Sequence, residues 1–102
     1  MCGIVGHQGL FNSVNVVLLG LEKLEYRGYD SAGISFIDDK NKICTIKEEG
    51  RLKNLRRSLP EEGATSSTAI GHTRWATHGK VSKENSHPHY GDGFSLVHNG
   101  II

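Results

Sequence analysis

Two cysteines, Cys2 and Cys44, are too few among 102 residues for the disulfide framework of a small secreted domain, and they supply too few sulfurs for a structural zinc site. No apolar run approaches the ~20 residues needed to cross a bilayer, and Met1–Gly6 is too short, and lacks the basic flank, to read as a signal peptide. Charge of one sign is missing as well. With 12 Lys+Arg against 11 Asp+Glu the net charge is +1, which argues against nucleic acid or an anionic membrane as partner. There is no internal repeat and no low-complexity tract. Together these absences predict a cytoplasmic chain of ordinary globular composition, 36% hydrophobic with 13 glycines, and long enough for one small domain. Its last two residues, Ile101 and Ile102, lie where domains usually fray into polar residues, so residues 1–102 are expected to be part of a larger domain.

Ile4-Val5, flanked by Gly3 and Gly6, reads as a short buried strand. From Ser13 to Leu24 the apolar residues Val14, Val17, Leu18, Leu21 and Leu24 recur at spacings of three and four, which predicts a helix capped by Asn12 or Ser13 and weakened by Gly20. Glu25 to Gly33 carries loop residues. Ile34–Ile37 and Ile43–Ile46 read as the arms of a hairpin turning at Asp38–Asn41. Leu52, Leu55 and Leu59 predict a short helix closed by Pro60, followed by a polar loop over Glu61–Ser67. Thr68–Thr73 and Phe94–His98 are further strand candidates. The 20 residues between them show no periodicity, and so long an irregular stretch is usually functional or disordered.

Chemistry is concentrated in three places. Removal of Met1 would make Cys2 the first residue, joining a thiol to a free α-amine whose usual pKa near 7.7 to 8.0 lets it act as a base at neutral pH. The alternative is a small apolar side chain at a strand end. Gly71–Gly79 holds His72, Arg74, Trp75, Thr77 and His78: a guanidinium fork suited to a carboxylate beside a large indole, or simply a loop with an exposed arginine. Asn99-Gly100 can place a side-chain amide and a backbone N–H on one oxyanion, or can form a tight turn. Five of the six histidines lie between residues 72 and 98, but no metal motif accompanies them, and His87-Pro88-His89 has no third ligand nominated by spacing. Gly79-Lys80-Val81 lacks the upstream glycine and the following Ser or Thr of a phosphate-binding loop.

Met1–Gly6, Leu24–Gly33, His72–Gly79 and His98–Gly100, in this order and spacing, resemble the type-2 glutamine amidotransferases. Leu24–Gly33 and Arg74–Gly79 look most like the branch that aminates fructose 6-phosphate. The amidophosphoribosyltransferases share the Arg27-Gly28-x-Asp30-Ser31-Ala32-Gly33 core but differ at Tyr29, at Trp75-Ala76-Thr77 and at His87-Pro88-His89.

The resemblance implies an α+β N-terminal-nucleophile hydrolase, a four-layer αββα sandwich of which residues 1–102 are the first half, the sugar-phosphate isomerase part lying elsewhere. It implies that Cys2 is the nucleophile, Asn99 and Gly100 the oxyanion hole, and Arg27 an orienting residue. Arg74 would grip the glutamine α-carboxylate, with Thr77 and His78 beside it and Trp75 as a lid between the two sites. No metal or organic cofactor is implied. Glutamine and fructose 6-phosphate would be the substrates of the full-length enzyme, expected to be a homo-oligomer, and a non-catalytic interaction module is the reading from another class. Cys44 is read as packing.

Overall fold

The computed structural model describes residues 2–60, 64–75 and 82–99. Nine elements follow one another: β1 (Gly3–Gln8), α1 (Ser13–Lys23), a 3-10 turn at Glu25–Arg27, β2 (Ser31–Ile37), β3 (Ile43–Glu49), α2 (Leu52–Arg57), β4 (Thr68–Arg74), β5 (His89–Gly91) and β6 (Phe94–Leu96). The first four strands form an antiparallel sheet in the order β1-β4-β2-β3, and β5 pairs with β6 in a separate hairpin.

Period-2 alternation divides that sheet into two unlike faces. On one, Ala32, Ile34, Phe36 and Ala69 join Val14, Val17, Leu18 and Leu21 of α1 and Leu52 and Leu55 of α2 in a single core. Burying each large aliphatic side chain of this set is worth roughly 1.5–3 kcal/mol. The helix packs close because glycines let it: a Cβ on Gly71 would stand 2.5 Å from Val17 Cγ1, and one on Gly20 would stand 2.7 Å from Val5 Cγ1. Gly20 therefore costs helix propensity and permits contact between α1 and β1. Asn12 caps α1 through a 3.1 Å bond from Val14 N, and the same Oδ1 accepts from Ser66 N at 3.1 Å, tying the helix start to the segment entering β4.

Several elements differ from the sequence reading. β1 is an edge strand, so only its helix-facing residues are covered and Ile4 remains 44% exposed instead of buried. α1 ends at Lys23 with Leu24 as its C-cap. β2 begins at Ser31, not Ile34, and small residues there serve a close approach: a Cβ on Gly33 would stand 2.0 Å from the His87 carbonyl oxygen. β3 runs three residues past Ile46, to Glu49. α2 ends at Arg57, ahead of Pro60, with Ser58 as C-cap. Its start has no side-chain cap; instead the Tyr29 hydroxyl accepts from Leu52 N at 2.6 Å. β6 stops at Leu96, and β5 forms inside the stretch expected to be irregular. Ser35 Oγ bonds both Thr45 Oγ1 and Ser95 Oγ at 2.6 Å, fastening the β5–β6 hairpin to the sheet face opposite the helices. The described residues thus build a helix layer, a sheet, and a partial layer on the sheet's other side.

Candidate active site

That second face holds the chemistry. Gly3 pairs with Thr73 across β1 and β4, so Cys2, one step earlier, comes level with the end of β4. Trp75 N donates to Cys2 Sγ at 3.4 Å, and the thiol lies 3.8 Å from Trp75 O. Cys2 is half-buried. The backbone at Trp75 thereby fixes the sulfur, while the indole turns elsewhere: a Cβ on Gly28 would lie 3.1 Å from the ring atom Cζ3, and the side chain is 48% exposed. Gly28 has φ 79°, a backbone region natural to glycine.

Asn99 arrives from the other end of the chain. Its Nδ2 donates to Cys2 O at 3.3 Å across 97 residues of sequence. Its Oδ1 faces His72 Nε2 at 2.8 Å, and the same nitrogen lies 3.1 Å from His98 O. Arg74 closes β4, half-buried, with its carbonyl accepting from Asp30 N at 2.7 Å. Its positive charge is felt by His72, His87 and His89, which places it in the same neighbourhood.

The three histidines form a column, His87 stacked 4.1 Å from His72 and 4.3 Å from His89. All titrate below the ordinary histidine range, chiefly because burial disfavours the imidazolium; His87, which also feels His72, His89, Arg74 and His98, is lowered to about 4. Burial, with a smaller contribution from Asp38, raises the thiol of Cys44 on β3, a partly buried side chain packed against the core and fit for packing.

Of the residues singled out in the sequence, Cys2, Trp75 and Asn99 are brought into direct contact and Arg74 is set beside them. Thr77, His78 and Gly100 lie outside the described residues, as does the side chain of Arg27; the backbone of Arg27 ends the 3-10 turn. The sequence reading names His72 within Gly71–Gly79 but gives it no role. The available signal was parity: residues 72 and 74 of one strand share a face. Among the described residues no group of three or more His, Cys, Asp or Glu side chains could hold a metal ion. No helix among them is long and apolar enough to cross a membrane.

Comparison with known proteins sets this geometry in a family. No protein-family model matches the chain. Glutamine–fructose-6-phosphate aminotransferases (isomerizing) from Francisella tularensis, Listeria innocua and Staphylococcus aureus are each 53% identical to it across its whole length. The chain belongs to the type-2 glutamine amidotransferases. It spans 17% of the length of these relatives. Among solved structures, the glutamine phosphoribosylpyrophosphate amidotransferase of B. subtilis superposes with TM-score 0.72 at 26% identity, covering 93% of this chain and 20% of that one. A structure described as the allosteric regulatory enzyme of purine biosynthesis gives TM-score 0.71 at 28% identity, covering 86% and 18%. The amidotransferase chain therefore has the N-terminal-nucleophile hydrolase fold in its α+β form, while its sequence stands nearer the fructose-6-phosphate relatives.

Proposed function

We propose that the chain is the N-terminal portion of a glutaminase domain, that Cys2 hydrolyses the side-chain amide of glutamine, and that the ammonia released is passed to fructose 6-phosphate in the full-length protein. The observation that carries this is the meeting of Cys2 with the Asn99 amide, whose donor nitrogen lies 3.3 Å from the Cys2 carbonyl oxygen. A thiol beside a fixed N–H donor is what addition to an amide carbonyl requires, since negative charge develops on the carbonyl oxygen as sulfur attacks.

Water is the one co-reactant the steps need. Once Met1 is removed, the freed α-amine of Cys2 takes the thiol proton, and sulfur bonds to the amide carbon. The oxyanion is held by Asn99 Nδ2 and, in this reading, the N–H of Gly100. The amine returns the proton as the carbon–nitrogen bond breaks, ammonia leaves, and water cleaves the thioester to give glutamate and free thiol. Arg74 grips the glutamine α-carboxylate with Thr77 and His78 beside it, Trp75 is the lid between the two sites, and Arg27 orients the nucleophile. The 53% identity to the fructose-6-phosphate aminotransferases, against 26% to the phosphoribosylpyrophosphate enzyme, favours the sugar phosphate as ammonia acceptor. A cytoplasmic, homo-oligomeric full-length enzyme accords with this reading. Its test is glutamate release from glutamine by the protein at its natural length. Cys2→Ser is expected to abolish release while synthesis from added ammonia persists; release undiminished in Cys2→Ser removes Cys2 from the reaction.

A further inference from the structure

We propose that His72 is a positioning residue which locks the Asn99 carboxamide with its N–H edge toward the reacting carbonyl. This deepens the amide-hydrolysis reading above and rests on it. The His72 side chain is wholly buried on β4. Its Nε2 faces two oxygens, His98 O at 3.1 Å and Asn99 Oδ1 at 2.8 Å. A backbone carbonyl only accepts, so Nε2 must carry the proton and the ring must donate to both. Nδ1 is buried with no hydrogen-bond partner among the described residues, which suits a bare lone pair and penalises an N–H there. The neutral Nε2–H tautomer pairs the donor nitrogen and leaves only a lone pair without a partner.

That tautomer dictates the amide. With a donor at Nε2, Asn99 must present its oxygen to His72, and Nδ2 is turned the other way, toward Cys2. Flipping the carboxamide would set its NH2 against the His72 N–H and its oxygen against Cys2 O, a donor–donor and an acceptor–acceptor clash at once. The ring itself is held by the stacked His87, whose carbonyl rests on Gly33. The charged and titratable groups around it are Arg74, His87, His89 and His98. Burial, aided by the positive charge of Arg74, opposes protonation of His72, and the bonds to Asn99 and His98 partly offset this.

The experiment compares wild type, His72→Leu, His72→Gln, Asn99→Ala and the His72→Leu/Asn99→Ala pair at natural length, by glutamate release, thermal unfolding and nitrogen-15 NMR of the histidine rings. Asn99→Ala is expected to lower kcat by about 10²- to 10³-fold, as for loss of one oxyanion donor. His72→Leu is expected to lower kcat by about 10- to 100-fold through misplacement of that donor, with the glutamine KM within about threefold. His72→Gln, which keeps an N–H donor, is expected to recover most of the loss. The double variant is expected to be no slower than Asn99→Ala by more than about threefold, because His72 acts only through Asn99. A folded His72→Leu with wild-type kcat, or losses that multiply in the double variant, overturns the proposal. So does an Nδ1–H tautomer for His72 in the wild-type spectrum, which reads the wiring even if His72→Leu fails to fold. A wild type that releases no glutamate while showing the Nε2–H tautomer overturns the hydrolysis reading and the catalytic purpose of His72 with it, but leaves the amide lock standing.

Discussion

Replacing Gly33 by alanine tests how the histidine column is seated. Gly33 lies inside β2 on the face that carries Cys2 and His72, and an alanine Cβ there would stand 2.0 Å from the His87 carbonyl oxygen and 2.9 Å from both His87 C and Pro88 Cδ. Real Cβ atoms essentially never approach within 3.0 Å, so that carbonyl must retreat by about 1 Å, and it is backbone. Overpacking of this kind costs roughly 1–3 kcal/mol. The same displacement moves the His87 ring from its 4.1 Å stack on His72, and with it the support of Asn99. A ~1 Å error in a positioned catalytic group costs about a hundredfold in rate. Gly33→Ala is therefore expected to be destabilised and to lose glutaminase turnover by about that factor, measured as denaturant midpoint and glutamate release on the same preparation. Gly6→Ala is the control: it faces the same side of the sheet, and among the described residues its Cβ would meet only Ile70 Cγ2 at 3.7 Å, an ordinary contact. Wild-type stability and turnover in Gly33→Ala would refute the close seating of His87 on β2.

Three further outcomes are expected. Intact mass of active protein should show Met1 removed, and full activity in molecules that all retain Met1 would exclude the α-amine as base. Arg74→Lys keeps the charge but loses the two-pronged fork, so the glutamine KM should rise at least about tenfold, or ~1.4 kcal/mol; an unchanged KM removes Arg74 from the carboxylate site. Stability should fall on acidification across the histidine range: His72, His87 and His89 are held neutral in the fold, His87 down to about 4, so between pH 6.5 and about 4 the unfolded chain binds more protons than the folded one. The full contribution is present above pH 6.5 and is lost as pH falls toward 4, which denaturant midpoints at a series of pH values, with His87→Phe showing a shallower fall, would display; equal slopes in the two proteins contradict it.

Elements with a strong local period were readable from the chain alone. The three-and-four spacing of Val14, Val17, Leu18 and Leu21 placed α1, with Asn12 before it, and Asp38–Asn41 between two isoleucine-rich runs placed the β2–β3 hairpin. In the turn itself, Asp38 Oδ1 accepts from Lys40 N and Lys42 N, and Asn41 adopts φ 62°. What stayed hidden has physical reasons. Ser31, Ala32 and Gly33 look like loop residues because small side chains also mark turns, yet here they admit a neighbouring backbone onto a strand. His89-Tyr90-Gly91 is too short to carry a period. Ile4 signalled burial by its type alone, while its cover depends on which face of an edge strand the helices occupy. For the site, Cys2, Arg74 and Asn99 stood out by chemistry and order, and their convergence depends on β4 lying between β1 and β2, a topology that local sequence does not encode. His72 is overshadowed in the sequence by the more conspicuous Arg74 and Trp75, although its buried ring lies within hydrogen-bond distance of Asn99.

The most direct measurement of nucleophile identity is mass spectrometry of the protein at natural length after incubation with an electrophilic glutamine analogue, followed by peptide mapping. One adduct per chain, on the Cys2 peptide, protected by excess glutamine, is the expected result. Modification confined to Cys44, or labelling of Cys2 that glutamine does not slow, would contradict the assignment of Cys2 as the residue that attacks the amide.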